Sequence, residues 1–266
     1  MPRFEIRGAR ALVTGATGGI GQAIARALAA EGAELVLTGR RLDVLEPLAT
    51  ELGATAIAAD LSDLDEVTRL LSEAGDIDIL VANAALPASG DVLEYSHEQI
   101  LRSITVNLEA PILMARDSAA AMIARGRGHI VMIGSVSGKI ASAEAAMYNA
   151  TKFGLRGFSL GFRQDLARHG VGLSLVEPGF VRDAGMFVES GGTLPKGLRT
   201  VTPEAVARKV VKAIQHNSAE VVVAPVELRA GATFGASFPT ISATLQRLGG
   251  GEKVSKSMVE GQRDKR

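Results

Sequence analysis

The sequence of 266 residues predicts a doubly wound α/β fold, one parallel sheet of seven strands with helices on both faces. Two patterns carry the expectation. Short runs rich in Val, Ile and Leu, at 11–14, 34–38, 55–59, 77–82, 129–133, 171–177 and 220–225, alternate with longer stretches of helical period. The runs lack period-two alternation, as strands covered on both faces require, and the helices between them are the crossovers that keep successive strands parallel. The second pattern is a glycine-rich turn, TGATGGIG at 14–21, placed directly after the first run.

Composition narrows the function. Lys plus Arg and Asp plus Glu both number 29, so the net charge is zero and no basic field exists to gather nucleic acid or anionic lipid; a small molecule is the expected partner. The absence of cysteine excludes disulfides, thiolate metal sites and a Cys nucleophile, and four scattered histidines supply no metal cluster. No apolar run reaches signal-peptide length before Gly15, and none is long enough to span a bilayer, so a soluble cytoplasmic protein is expected. Residues 1–248 read as a single domain, and the polar stretch 249–266 as a disordered tail.

Taken in order, the first strand runs into Gly15, Gly19 and Gly21, which permit positive φ and close backbone approach where a new helix opens. The free N–H groups of that helix form an anion site fit for a pyrophosphate. The spacing Gly-x-x-x-Gly-x-Gly differs from G-x-G-x-x-G, and Ile20-Gly21 stands where a P-loop needs Gly-Lys. After the second strand come Thr38, Gly39, Arg40 and Arg41. An acid near this point would bind a ribose 2′-hydroxyl, whereas arginine accommodates a 2′-phosphate, so NADP(H) is favoured over NAD(H). Arg40 and Arg41 also read as solvated loop charges. Asp60, ending the third strand, can accept from an adenine amino group or cap the helix that begins near Ser62 and Asp63.

The fifth strand ends in IVMIG followed by Ser135, whose hydroxyl can donate to a substrate oxygen. Next comes YNATK, residues 148–152. On a helix, positions i and i+4 lie one above the other, so Tyr148 and Lys152 share a face. Carbonyl reduction needs an acid beside the developing alkoxide, and a phenol of ordinary pKa near 10 is too weak at neutral pH unless a cation favours its ionised form. Lys152 is placed to be that cation.

TGATGGIG after the first strand, ANAA after the fourth, VNL at 106–108, the serine after the fifth and YNATK together resemble the short-chain dehydrogenase/reductase family over about 10–224, which implies a Rossmann-like fold. The resemblance implies an NAD(P)-dependent oxidoreductase of alcohols and carbonyls, with Asn107, Ser135, Tyr148 and Lys152 as its catalytic set. It implies that Asn107 holds a water linking Lys152 to solvent and that Lys152 and Tyr148 also meet the nicotinamide ribose. The cofactor residues it implies are Gly15, Thr17, Gly19, Ile20, Gly21, Arg40, Asp60, Leu61, Asn83, Pro178, Gly179 and Val181. It favours a homodimer or homotetramer. Residue 155 is leucine, against the tyrosine–lysine spacing of seven in enoyl reductases, and the region after Ala224 is shorter than in members that act on nucleotide sugars.

Two departures stand out. The family's Asn-Asn-Ala-Gly reads Ala82-Asn83-Ala84-Ala85, and Asp183 replaces a threonine that lies near the nicotinamide carboxamide. Ionised Asp183 cannot donate a hydrogen bond. The stretch 183–200 is expected to be a substrate lid, with Met186, Phe187 and Leu194 as apolar walls and Glu189, Lys196 and Arg199 as its charges, while Ala143 and Met147 line the pocket or pack in the core. Near the end, Phe234, Phe238, Ile241, Leu245 and Leu248 form an apolar stripe that Pro239 interrupts, fit to close the pocket, meet a second subunit or touch a membrane. The expected function is hydride transfer between NADP(H) and a moderately apolar carbonyl or alcohol. The competing reading is a non-catalytic NADP-binding redox sensor or regulatory subunit.

Overall fold

A computed structural model describes residues 3–183, 199–248 and 259. The lid residues Met186, Phe187, Glu189, Leu194 and Lys196, and the tail apart from residue 259, lie outside the described residues.

The strands are β1 (Arg10–Val13), β2 (Glu34–Gly39), β3 (Thr55–Ala58), β4 (Ile79–Ala82), β5 (His129–Ile133), β6 (Gly172–Pro178) and β7 (Glu220–Val223). They form one sheet in the order β3-β2-β1-β4-β5-β6-β7, and every pairing is parallel. The chain winds outward from β1 to β3, then returns to place β4 on the other side of β1. That reversal opens a crevice at the carboxyl ends of β1 and β4, where ligands bind in sheets of this kind.

Each continuous apolar strand serves two cores at once. Ala11, Leu37, Val81 and Val131 face a cluster shared with Ile24, Leu28, Leu45 and Val210, whereas Leu12, Val36, Leu80 and Ile130 face one shared with Leu70, Met114, Met122 and Leu155. The first layer is α1 (Gly19–Ala30), α2 (Leu42–Leu52) and α7 (Pro203–His216); the second is α3 (Leu64–Ala74), α5 (Ala110–Arg125) and α6 (Ala146–Ala167). Side chains begin several of them: Asp63 accepts from the Asp65 and Glu66 amides at α3, and Thr202 accepts from Ala205 at α7. Ser96 and Gln99 form a capping box at α4 (His97–Ile104).

The helix after β4 is not regular. Between α4 and α5 the residues Thr105–Glu109 make a π-helical turn, and Asn107 lies within it. Pro111 has no N–H to give to the carbonyl of Asn107, four residues back, so the regular ladder is broken at that point. At the other end Pro239 acts as its position predicts: α8 (Val226–Ser237) stops before it and α9 (Pro239–Leu248) starts on it. Phe234, Phe238, Ile241 and Leu245 remain exposed there. Among the described residues no helix is long and apolar enough to cross a membrane.

His129 opens β5 inside the sheet, and its imidazole is held neutral. Ser174 Oγ donates to the Ala213 carbonyl at 3.2 Å, so His129 Nε2, 2.9 Å from Ser174 Oγ, carries the proton and donates to it. Burial, with Arg163 acting in the same direction, pushes the ring from its ordinary 6.5 down to about 3. Because the folded pKa lies below the unfolded one, the unfolded chain binds more protons in acid, and stability is lost as pH falls from 6.5 towards 3. Urea unfolding at pH 7 and pH 5 is therefore expected to show about 2 kcal/mol less loss of stability in His129→Gln than in the parent.

Candidate active site

The crevice is built by docking two loops. Thr14 Oγ1, at the end of β1, accepts from the amides of both Asn83 and Ala84 beyond β4, each at 3.0 Å. Asn83 Nδ2 donates back to the carbonyls of Thr14 at 3.0 Å and Gly15 at 3.3 Å. A Cβ on Gly15, whose φ is +63°, would lie 2.8 Å from the Cα of Ala84, so glycine is required for the loops to touch. A Cβ on Gly21 would lie 2.2 Å from the carbonyl oxygen of Gly15. Helix α1 thus starts folded back over its own turn, and its Gly18 N-cap supplies no side-chain cap and no acid stands in the first turn. Its terminal amides suit an external anion, so these residues fit a dinucleotide pyrophosphate. Ile20 is partly buried against the core beneath α1.

The adenosine side lies at the ends of β2 and β3. Arg41, which the sequence leaves as either a ligand or a solvated charge, donates through Nη2 to the Thr17 carbonyl at 2.7 Å. Arg40 stands half-exposed with Nη1 3.8 Å from Asp60 Oδ2. The cap of α3 is Asp63 and not Asp60. Asp60 instead accepts through Oδ1 from the amide and hydroxyl of Ser62, at 3.0 and 2.9 Å. Burial alone would raise the Asp60 carboxyl, but the two Ser62 bonds, with Arg40 and Arg102, bring it below the ordinary range. The side chain of Leu61 is buried in the core.

Tyr148 and Lys152 share a face of α6 beside the segment after β5 that carries Ser135, and Asn107 sits in the π-helical turn. Ser135 follows β5 in extended backbone, and its Oγ accepts from the Ser137 amide at 3.1 Å. Tyr148 is the third residue of α6 and is half-buried, and Lys152 lies one turn further on, buried, with Nζ 5.7 Å from the centre of the tyrosine ring. Burial pushes the phenol above its ordinary value, and a hydrogen bond with Ser135 pulls the other way. Burial also pushes Lys152 down to about 8, while Nζ donates to the Ile133 carbonyl at 3.0 Å. The sequence expectation that Lys152 makes the phenol acidic differs from this direction: burial raises the phenol, and Ser135 is the group that opposes the rise. Asn107 is fully committed to one neighbour, accepting from the Leu86 amide at 2.6 Å and donating to the Leu86 carbonyl at 3.0 Å.

Asn149 escaped the sequence reading. Its Nδ2 donates to the carbonyls of Ser137 and Ile140 at 2.8 and 3.1 Å, and its Oδ1 accepts from Ser142 at 3.3 Å, which staples the Ser135 loop to α6 beside Tyr148. An asparagine at the start of a helix gives no sign of such a contact, since the loop it serves is fixed only in three dimensions. Across the crevice, Gly179 donates to the Val223 carbonyl at 3.0 Å, directly after Pro178. Val181 pairs in parallel with Val201, with bonds from the Arg182 amide to Val201 and from the Val201 amide to Phe180, each 2.9 Å. Asp183 then takes φ +67°, with Oδ2 3.4 Å from Arg182 Nε, and Arg199, at the far end of the expected lid, pairs with Glu227 at 2.8 Å.

Comparison with known proteins agrees with this geometry. The family model for short chain dehydrogenases matches residues 9–193. The ketoacyl reductase HetN of Nostoc is 36% identical over 82% of this chain and 79% of its own. A short-chain dehydrogenase from Sphingobium yanoikuyae, solved in complex with NADPH, has a TM-score of 0.76 at 28% identity, covering 88% of this chain and 95% of that one. A metagenomic short-chain oxidoreductase in complex with NADP has a TM-score of 0.70 at 35% identity, with coverage of 84% and 99%. The chain belongs to the short-chain dehydrogenase family and is an NAD(P)-dependent oxidoreductase.

The glycine turn gives a direct test. Gly21→Ala must push the Gly15 carbonyl out of place, and the dissociation constant for NADPH, measured by fluorescence titration, is expected to rise roughly tenfold or more. The melting temperature should fall as well, because Gly21 is buried and the added Cβ meets backbone.

Proposed function

With membership of that family as the premise, we propose that the protein reduces a moderately apolar ketone or aldehyde with NADPH, or runs the reverse oxidation with NADP, using Tyr148 as general acid and base. The observation that carries the reading is Tyr148 one helical turn from buried Lys152, whose Nζ lies 5.7 Å from the ring centre, beside the Ser135 that follows β5. When bound, the cofactor supplies or receives the hydride. Every other part of the reaction falls to the chain itself.

In reduction, the carbonyl oxygen of the substrate sits between the Ser135 hydroxyl and the Tyr148 phenol. Because burial holds the phenol protonated, Tyr148 is ready to release its proton as negative charge builds on that oxygen. Ser135 accepts from the Ser137 amide, so its own hydrogen is available to turn from the phenol to the substrate oxygen as charge develops there. Lys152, at about 8, is mostly cationic at neutral pH and stabilises the phenolate left behind. Asn107 secures the 86 segment opposite, and its carbonyl, which Pro111 cannot meet, supports a water-holding role in proton supply.

Arg40 and Arg41 support the preference for NADP(H): both reach the end of β2, and Arg41 already braces the glycine turn. Structural relatives solved with NADPH and NADP support the same preference, and a ketoacyl reductase among the relatives supports an apolar acyl-type substrate. Leu101, Ile104 and Phe153, exposed on α4 and α6, support a homodimer or homotetramer built on those helices.

The test is NADPH and NADH oxidation against ketones and aldehydes of increasing size. Tyr148→Phe is expected to lower kcat by roughly 10²–10⁴-fold while NADPH still binds. Replacing Arg40 alone by alanine should weaken NADPH by about tenfold or more and leave NADH nearly unchanged, as expected for losing a charge-assisted bond to a phosphate. Retained turnover in Tyr148→Phe, or equal weakening of both cofactors, overturns the corresponding assignment.

A further inference from the structure

Four charged side chains close a ring beside the Ser135 loop, apart from the groups assigned to substrate. Glu177, fully buried on β6, has Oε2 3.2 Å from Lys139 Nζ and Oε1 3.8 Å from Arg156 Nε. Glu220 on β7 completes the ring, 2.7 Å from Lys139 Nζ and 2.6 Å from Arg156 Nε. Each cation therefore lies between two carboxylates. Lys139 belongs to the loop that carries Ser135, Arg156 stands one turn beyond Lys152 on the helix that carries Tyr148, and Glu177 directly precedes Pro178 and Gly179. The ring joins the elements on which the reaction depends.

Two glycines press the loop onto this ring. A Cβ on Gly138 would lie 2.7 Å from the Lys152 carbonyl oxygen and 3.6 Å from Glu177 Oε1, and one on Gly134 would lie 3.3 Å from Glu177 Cγ. The loop thus lies flat against α6 and β6, and Lys139 ties its far end down. Burying a carboxylate costs several kcal/mol that ion pairing at best offsets, so apolar side chains of the same volume would serve stability as well. What the charges add is direction: Lys139 has one placement between two fixed oxygens.

We propose that the Lys139–Glu177 pair is a positioning device for the reaction, holding the Ser135 loop so that Ser135 Oγ meets Tyr148. This rests on the assignment of Ser135 made above. Burial pushes the Glu177 carboxyl up to about 7, with Lys139 pulling it down, Glu220 raising it and Arg156 pulling it down. Protonation of Glu177 leaves Lys139 with Glu220 alone and frees the loop on the side of β6. Reduction needs a protonated phenol and gains nothing from ionising Tyr148 as pH rises. A fall in the reduction rate in acid, centred near that of Glu177, is therefore the ring's own signature.

The experiment is a double-mutant cycle on kcat for NADPH-dependent reduction at pH 7.5, with Lys139→Met and Ser135→Ala alone and together. Lys139→Met is expected to lower kcat about tenfold in the parent but less than about twofold in the Ser135→Ala background, since it acts through Ser135. Lys139→Arg should restore most of the loss, and NADPH affinity should stay within about twofold throughout. Glu177→Gln, nearly isosteric, repeats the cycle should Lys139→Met fold poorly, and its reduction rate should be low and level from pH 8 to pH 6, whereas that of the parent falls. An equal loss in both backgrounds, or a parent rate that is level over that range, overturns the proposal. If Ser135→Ala alone leaves kcat intact, the assignment of Ser135 fails first and takes this inference with it.

Discussion

The site depends above all on the contact between the end of β1 and the end of β4. One threonine hydroxyl receives two amides, one asparagine amide returns to two carbonyls, and Gly15 must lack a Cβ for the two backbones to meet. Parallel strands leave their crossover loops free to diverge, and this contact stops them from doing so at the point where the winding reverses. The floor of the crevice is therefore backbone held in place by two side chains, Thr14 and Asn83. With Thr14 fully buried, its bonds act in a low dielectric, where leaving any of these groups unpaired is costly.

The same burial that secures the floor sets the chemistry of the wall. Tyr148 and Lys152 are both driven towards their neutral forms, the phenol upward and the amine down to about 8. For the general-acid role proposed for Tyr148 this balance is useful: the phenol would stay protonated at neutral pH, and the lysine would retain enough charge to stabilise the anion left behind. Ser135 stands at the centre because it touches both problems. It moderates the phenol, and in the proposed reaction it would face the oxygen on which charge develops.

Most of the fold was legible because a parallel sheet writes itself as uninterrupted apolar runs. The seven strands lie within a residue or two of those runs, and Pro239 divides the last two helices as its ring requires. Glycine spacing, Ser135, Tyr148 and Lys152 were readable because each follows a strand end or a helical repeat. Three things were not. The π-helical turn around Asn107 arises from Pro111 four residues later, a local cue that propensity treats only as a helix start. Asn149 and the ring of Lys139, Arg156, Glu177 and Glu220 join residues far apart in the chain, and nothing local marks a partner that distant. The direction of the Tyr148 shift was missed for a related reason: the sequence displays the nearby cation but not the desolvation that opposes it.

The parallel pairing of Val181 with Val201 has an evolutionary consequence. It brings together the two ends of the chain that carries residues 184–198, and it does so with main-chain bonds that depend little on side-chain identity. A segment whose ends are already joined closes a loop, and doubling the length of such a loop costs only about 0.6 kcal/mol in closure entropy. Insertion, deletion or exchange of residues between the two paired ends leaves the pairing bonds themselves untouched. The pairing is a main-chain clamp at the carboxyl end of β6, one that sequence drift at residues 181 and 201 can leave in place.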